Sequence, residues 1–201
     1  MSDKISFMKQ WAKEPLKIGA VVPSSRWLSN AIVRSIETNV GHILEFGPGT
    51  GVFTEALIRK GVHQKNITLI ERDAVMSDIL RLKFKETRVI TADASCYAFR
   101  QHGLLDCGAA VSGLPMRSMR PIDIYMILLN AFHALRTDAL FLQFTYFSRC
   151  PVPAAIMDAL GLASCRKELV LRNFPPAFVF EIFKTNKLFS GVSHNAPDWT
   201  C

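Results

Sequence analysis

One stretch near the start of the chain, from Ile43 to Leu57, constrains the fold more than any other. It reads ILEFGPGTGVFTEAL, a short apolar segment, three glycines at alternate positions, and then apolar residues at helical spacing. This order predicts a buried parallel strand, a tight turn and a helix with Phe53, Ala56 and Leu57 on one side. Glycines suit such a turn because a Cβ would hold a ligand away from the backbone. The stretch therefore predicts a ligand held by backbone N–H groups and the positive end of a helix dipole.

The turn differs from the dinucleotide fingerprint G-x-G-x-x-G, because it reads G-x-G-x-G with Glu45 two residues before the first glycine. An acidic strand tip suits a cationic amino group better than a pyrophosphate. The pattern resembles motif I of the seven-strand S-adenosylmethionine (SAM) methyltransferases, whose cofactor carries an ammonium, a carboxylate and a sulfonium. We therefore predict SAM as the cofactor rather than an NAD site or a purely structural turn. Its predicted ligands here are Glu45, Gly47, Gly49, Thr50 and Gly51.

Two later strands also end in acids. Glu71 closes the strand predicted over 67–71 and lies twenty residues beyond Gly51, the separation at which a doubly wound fold places a carboxylate on ribose hydroxyls. Asp93 closes the strand predicted over 88–93, where it is expected to accept from the adenine 6-amino group, with the N–H of Ala94 on a ring nitrogen. A solvated surface acid is the alternative for Glu71.

The remaining cofactor candidates are serines. Ser24 and Ser25 are either helix caps or neighbours of the cofactor carboxylate. Ser112 begins the loop after the fourth strand, which is expected to face the transferable methyl because ligands bind outside the carboxyl ends of parallel strands.

The predicted fold class is α/β, a Rossmann-like seven-strand class I SAM-dependent methyltransferase fold with an antiparallel final hairpin and an N-terminal amphipathic helix. Residues 1–201 are predicted to form a single domain, with a membrane-surface helix within 1–18 and a loose tail over 186–201. Besides those already given, strands are predicted over 109–115 with the exit loop, 139–147, 167–171 and 177–184. Helices are predicted over 26–38, 73–84, 121–136 and 151–162, the first with Trp27, Leu28, Ile32 and Ile36 inward.

Composition limits the partners. The net charge is +7 and the isoelectric point is near 9.3, which favours a polyanion, either nucleic acid or an anionic membrane surface. The five cysteines form no C-x-x-C pair, which argues against a disulfide framework or a zinc site, so no metal is expected. The odd number and wide spacing of the cysteines favour a reducing cytosol, no apolar run is long enough to cross a bilayer and no secretory signal is evident, so a cytoplasmic location is predicted.

The segment 2–18 has helical periodicity with two distinct faces. Lys9, Lys13 and Lys17 form a basic row, and Phe7 and Trp11 form an aromatic pair beside it. Such a composition is typical of an interfacial helix in lipid headgroups, but it also fits a helix packed on the domain with solvated lysines.

Four segments together resemble the soluble bacterial phospholipid N-methyltransferases: GAVVPSS from Gly19, EFGPGTGVFT from Glu45, VSGLP from Val111 and RNFPPA from Arg172. The resemblance implies a SAM-dependent enzyme that methylates phosphatidylethanolamine and its mono- and dimethylated forms to phosphatidylcholine. It also implies peripheral attachment to the inner face of the cytoplasmic membrane and no nucleic-acid partner, and it favours the interfacial role of the N-terminal helix. These enzymes are related to the ribosomal RNA adenine dimethyltransferases, which makes RNA the competing substrate.

The loop Ser112 to Met116 bears on that choice. Adenine N6 methylation generally uses an Asn or Asp beside a proline and an aromatic residue, and SGLPM contains no Asn, Asp or aromatic residue. An alkyl amine needs no such apparatus, so the loop argues for the alkyl amine. Gly113, Leu114 and Pro115 are then expected to contact the substrate.

Aromatic residues are the remaining substrate candidates. Phe147 and Phe174, with Tyr146, are proposed walls of a pocket that attracts a methylated ammonium by cation–π contact. Tyr146 is also the candidate to accept a proton through water; ordinary core packing is the alternative for all three. Three other functions stay open: an RNA methyltransferase, a small-molecule N-methyltransferase with the N-terminal helix as a lid, and a non-catalytic SAM-binding membrane adaptor.

Overall fold

The computed structural model describes residues 26–185, so the predicted N-terminal helix, Ser24, Ser25 and the tail over 186–201 lie outside the described residues. The helices are α1 (Arg26–Val33), α2 (Val52–Lys60), α3 (Ala74–Lys83), α4 (Pro121–Ala134) and α5 (Ala154–Ala159). The strands are β1 (Ile43–Phe46), β2 (Ile67–Glu71), β3 (Arg88–Thr91), β4 (Cys107–Ser112), β5 (Leu135–Thr145), β6 (Leu162–Val170) and β7 (Ala177–Lys184). Short 3-10 turns cover Gln64–Asn66, Phe99–His102 and Met116–Ser118.

The strands form one sheet in the order β3-β2-β1-β4-β5-β7-β6. Strands β1 to β5 are parallel, whereas β7 pairs antiparallel with both β5 and β6. This confirms the predicted α/β class and its antiparallel final hairpin. The order reverses between β1 and β4, and ligands of doubly wound sheets bind beside such a switch point.

Apolar residues cover both faces of the sheet because consecutive strand residues point to opposite sides. In β1, Leu44 and Phe46 belong to the cluster packed under α4, and Ile43 belongs to the cluster under α1 and α2. Burial on both faces explains why the residues of β1 are apolar except for Glu45.

The structure corrects the predicted bounds of α1, which ends at Val33 rather than Thr38. The ammonium of Lys60 donates to the carbonyls of Val33 and Arg34 at 2.8 and 2.7 Å, which satisfies backbone acceptors freed at the helix end. Leu28 and Ile32 are buried as predicted. Trp27 was predicted to point inward and does not, since 52% of it is exposed.

Other bounds differ at the sheet edges. Strand β3 ends at Thr91, so Asp93 lies in the following turn rather than in the strand. Helix α5 is shorter than the predicted 151–162, because Pro153 can occupy only its N-terminal boundary. Strand β6 begins at Leu162, five residues before the predicted start, since its pairing with β7 runs from Leu162 to Val170. Within the described residues, no helix is long and apolar enough to cross a membrane.

Candidate cofactor and acceptor site

The glycine turn lies between β1 and α2, at the edge where strands β1 to β5 end, hereafter the carboxyl edge. Gly47, Gly49 and Gly51 all have positive φ angles, of 60°, 54° and 81°. A Cβ on Gly51 would lie 2.4 Å from the ring of Phe84, and one on Gly47 would lie 2.7 Å from a methyl of Leu114. All three positions therefore favour glycine by conformation, and at Gly47 and Gly51 a Cβ would also meet a neighbouring side chain.

Glu45 is the most perturbed carboxyl group of the site. It is fully buried, and one oxygen accepts from the hydroxyl of Thr54 at 2.7 Å. Its other oxygen, Oε1, has no hydrogen-bond partner among the described residues. Burial raises the pKa of Glu45 from 4.5 to about 7, although the hydrogen bonds from Thr54 and the charge of Lys83 oppose this. An orphaned, buried carboxylate oxygen beside the glycine turn fits the ammonium of the predicted cofactor.

Glu71 and Asp93 lie at the carboxyl edge beside this turn. Gly47 N–H donates to the carbonyl of Ile70 at 2.9 Å, which fixes the end of β2 next to the glycine turn. Glu71 accepts from the N–H of Asp73 at 2.9 Å, and strand pairing places it opposite Thr91. Three neighbouring strands therefore present an acid in or just beyond their ends.

Asp93 is fixed in its turn by three contacts. One carboxylate oxygen accepts from both the N–H and the hydroxyl of Ser95, at 2.9 and 2.7 Å, and the other lies 3.8 Å from the guanidinium of Arg72. The hydrogen bonds from Ser95 hold the pKa of Asp93 below its usual range, so this acceptor stays ionised. The next residue, Ala94, is buried. The ribose and adenine roles of these acids stay predictions.

The loop after β4 is clamped against the glycine turn. Gly113 N–H donates to the carbonyl of Phe46 at 2.8 Å, and a Cβ on Gly113 would lie 2.5 Å from the carbonyl oxygen of Gly47. Leu114 N–H donates to the hydroxyl of Ser112 at 3.3 Å. Ser112 therefore shapes the loop, in addition to its predicted place beside the cofactor.

Gln143 is a site residue that the sequence analysis missed. It is fully buried in β5, and its amide nitrogen donates to the carbonyls of Leu114 and Phe144 at 3.1 and 2.8 Å. Its oxygen has no partner among the described residues. The available signal was a single carboxamide inside the apolar run ALFLQFT. A buried polar group in such a run normally has a structural or functional partner.

A cleft of about 340 Å³ opens beside this loop. Its walls are formed by the loop after β4, the 3-10 turn that follows and the end of β5: Leu114, Pro115, Met116, Arg117, Ser118, Phe144, Thr145, Tyr146, Phe147 and Pro151. The Tyr146 hydroxyl is buried and has no partner among the described residues, and burial raises the pKa of this phenol above its ordinary value of 10. The cleft brings together four predicted substrate residues, namely Leu114, Pro115, Tyr146 and Phe147.

Phe174 does not join that cleft, which corrects the predicted aromatic cage. Its side chain is 92% exposed in the loop between β6 and β7 and is not among the lining residues. Phe147 stands at the rim with the guanidinium of Arg117 4.1 Å from its ring centroid. A protein cation already occupies one face of this ring, which weakens the prediction that Phe147 attracts a methylated ammonium. Within residues 26–185, no group of three or more His, Cys, Asp or Glu side chains could hold a metal ion.

Residues 24–103 match the ribosomal RNA adenine dimethylase family. A curated relative, the ribosomal RNA small subunit methyltransferase A of Malacoplasma penetrans (strain HF-2), is 30% identical over 89 residues, which are 44% of this chain and 32% of that protein. Curated relatives of the same name match this chain over 32% to 40% of their own length, so the chain spans well under half of them.

Solved structures define the fold. A TehB-like SAM-dependent methyltransferase from Corynebacterium glutamicum ATCC 13032 Kitasato superposes with a TM-score of 0.63 at 16% identity, covering 92% of this chain and 99% of that one. The 1,6-didemethyltoxoflavin-N1-methyltransferase of Burkholderia thailandensis, solved with S-adenosylhomocysteine, gives a TM-score of 0.62 at 13% identity and coverages of 90% and 87%. The fold is therefore that of the SAM-dependent methyltransferases, as predicted. This confirms the prediction of SAM as the cofactor.

The comparisons overturn two predictions about the substrate. The predicted function, methylation of phosphatidylethanolamine to phosphatidylcholine, is wrong, because the matching family and the curated relatives are named for ribosomal RNA. The expectation of membrane and lipid partners with no nucleic acid is wrong for the same reason. The resemblance misled because the glycine motif around Glu45 is shared by many methyltransferases and does not select the acceptor. The membrane candidates Phe7, Lys9, Trp11, Lys13 and Lys17 lie outside the described residues.

Proposed function

We propose that this chain is a SAM-dependent methyltransferase that methylates the exocyclic N6 amine of adenine in RNA. The match of residues 24–103 to the ribosomal RNA adenine dimethylase family is the observation that carries the proposal. The net charge of +7 supports a polyanionic substrate, since basic proteins attract the phosphate backbone.

The cofactor supplies an electrophilic methyl group, and the residues of the glycine turn and its neighbours hold it. Glu45 binds the ammonium through its unpartnered oxygen, and Glu71 accepts hydrogen bonds from the ribose hydroxyls. Asp93 and the N–H of Ala94 bind the adenine ring. Gly47, Gly49 and Gly51 let the backbone approach the ligand, with Thr50 between the last two.

The cleft beside the loop 112–115 receives the target base. Its walls are mainly apolar and suit the faces of a purine. Leu114 and Pro115 form one wall, held in place by Gln143 through the carbonyl of Leu114. Such fixed walls would hold the target amine against the methyl group of a bound cofactor, and this positioning is the main contribution a protein makes to methyl transfer.

Tyr146 supplies the polar group that orients the amine. Because its pKa is raised, the phenol stays neutral and accepts a hydrogen bond from the target N–H rather than acting as a base. The loop has glycine at 113 and the carbonyl of Gly47 leaves no room for a side chain there, so no carboxamide can come from that position. The orienting hydrogen bond is therefore assigned to the end of β5.

Transfer of tritium from labelled SAM tests the proposal. The full chain is incubated with a transcript of small-subunit ribosomal RNA or, separately, with phosphatidylethanolamine vesicles. We expect label in the RNA fraction, none in the chloroform phase, and loss of the RNA signal in Glu71→Ala at limiting SAM. Label in extracted lipid, or none in RNA at saturating SAM, would contradict the proposal.

A further inference from the structure

We propose that two exposed aromatic–arginine stacks, Phe147 with Arg117 and Trp27 with Arg172, bind unpaired bases on either side of the target nucleotide. The acceptor would then be a single-stranded segment of RNA rather than a duplex. This inference rests on the proposed function, which it extends from the target base to the strand that carries it.

The first stack stands at the rim of the acceptor cleft. Phe147 directly follows Tyr146, a half-buried residue that lines the cleft, and is itself 53% exposed. The Arg117 guanidinium lies 4.1 Å from the ring centroid and has no carboxylate partner among the described residues. A strand whose target base enters the cleft would therefore bring its neighbouring nucleotide onto this ring.

The second stack joins the start of α1 to the loop between β6 and β7. The Arg172 guanidinium lies 4.5 Å from the ring of Trp27, which is 52% exposed. Val170 pairs with Ala177 and Thr145 with Phe178, so the β6–β7 loop lies at the carboxyl edge, beside the end of β5.

Helix α1 is oriented with its first turn toward that same edge. Arg34, just after the helix, pairs with Glu168 of β6 at 3.1 Å. Trp27, at the start of the helix, contacts Arg172, which lies four residues after Glu168 in the loop between β6 and β7. Both stacks therefore lie at the edge that carries the cofactor turn and the acceptor cleft. The end of β5 lies beside both of them.

The chemistry of the stacks fits single-stranded RNA. An exposed ring offers a face on which a base stacks, and the guanidinium next to it pairs with a phosphate oxygen. Bases inside a duplex already stack on one another and cannot use such rings. The N6 amine also lies on the pairing edge of adenine, so the target itself must be unpaired before it enters the cleft.

Fluorescence anisotropy of the full chain with saturating S-adenosylhomocysteine tests this assignment. The probe is a labelled adenine-containing RNA of about 12 nucleotides, used alone or annealed to its complement. We expect single-stranded RNA to bind more tightly than the duplex. Phe147→Leu and Trp27→Leu should each weaken single-strand binding roughly fivefold to a hundredfold, the range expected for the loss of one stacked base.

Leucine is the informative replacement because it keeps apolar area but removes the π-face. Phe147→Tyr and Trp27→Phe should bind within about twofold of the parent, since a ring is retained. Leu82→Ala on α3, whose side chain is 78% exposed, is the matched control for loss of a surface apolar residue and should not change affinity.

Unchanged RNA affinity in both leucine variants would overturn the inference, as would equal affinity for duplex and single strand. Binding of the rings to anionic phospholipid vesicles instead of RNA would also overturn it. In that case Phe147→Leu would keep vesicle binding, Phe147→Ala would lose it, and the RNA affinity of both variants would equal that of the parent. Methyl transfer to RNA is measured in parallel. Transfer that persists at the parent's KM in the leucine variants would leave the proposed function standing without the stacks, whereas ring-dependent RNA binding without transfer would refute the function alone.

Discussion

Replacing Glu45 with glutamine isolates the effect of one buried charge on stability. In the folded protein burial raises the pKa of Glu45 from 4.5 to about 7, so the native state holds a proton that the unfolded chain releases at lower pH. The free energy of unfolding of the parent should therefore fall as pH rises from about 4.5 to about 7, and level off above that. A shift of about 2.5 pKa units corresponds to about 3 kcal/mol at full ionisation.

Glu45→Gln removes this pH dependence. Glutamine can still accept from Thr54, but its buried N–H group costs about 1 to 3 kcal/mol at every pH. The informative quantity is therefore the free energy of unfolding of the variant minus that of the parent, and how this difference changes from pH 5 to pH 8. We expect it to favour the variant by about 2.5 kcal/mol, because part of the loss has already occurred at pH 5, and this corresponds to a shift of roughly 5 to 10 °C in the relative Tm.

Urea unfolding and thermal melts without cofactor at several pH values measure this change. Saturating SAM should flatten the profile of the parent, because its ammonium stabilises ionised Glu45. The variant should bind SAM at least about tenfold more weakly, since a charge-assisted contact is lost. Parallel pH profiles of parent and variant would show that Glu45 ionises normally and would refute the reasoning.

Three further substitutions test other parts of the site. Glu71→Ala should raise the SAM dissociation constant roughly tenfold by loss of the ribose hydrogen bonds; an unchanged constant by calorimetry would remove Glu71 from the site. Gln143→Leu frees the carbonyls of Leu114 and Phe144 and should lower kcat at least about tenfold with SAM affinity unchanged, and parental kcat would count against a positioning role. Gly51→Ala places a methyl against the Phe84 ring at a positive φ and should cost about 1 to 3 kcal/mol of stability. A shift of about 1 °C in Tm corresponds to only a few tenths of a kcal/mol, so a Tm within about 1 °C of the parent's would contradict that clash.

The sequence predicted the central strands β1 and β2 well because they are buried on both faces and the turn after β1 is marked by glycines. Strand β2 begins and ends where predicted, and the positions of Glu45 and the three glycines follow from one local motif. Such features depend on neighbours in the chain, so a single segment is enough to predict them.

Features set by distant parts of the chain were missed. Trp27 lies half exposed against the guanidinium of Arg172, far along the chain, and no local periodicity encodes that contact. Gln143 matters through the carbonyl of Leu114, a partner on another strand's exit loop. The prediction of the methyl acceptor was wrong for a related reason. The glycine motif is local in the chain, whereas the cleft is assembled from two distant segments, the loop after β4 and the end of β5.

Digestion of the RNA product to nucleosides, followed by liquid chromatography and mass spectrometry, tests the central claim most directly. After incubation of the full chain with SAM and unmethylated small-subunit ribosomal RNA, we predict N6-methylated adenosine, with the dimethylated nucleoside accumulating later. An RNA whose nucleosides are all unmodified, while the same protein demonstrably binds SAM, would contradict the account.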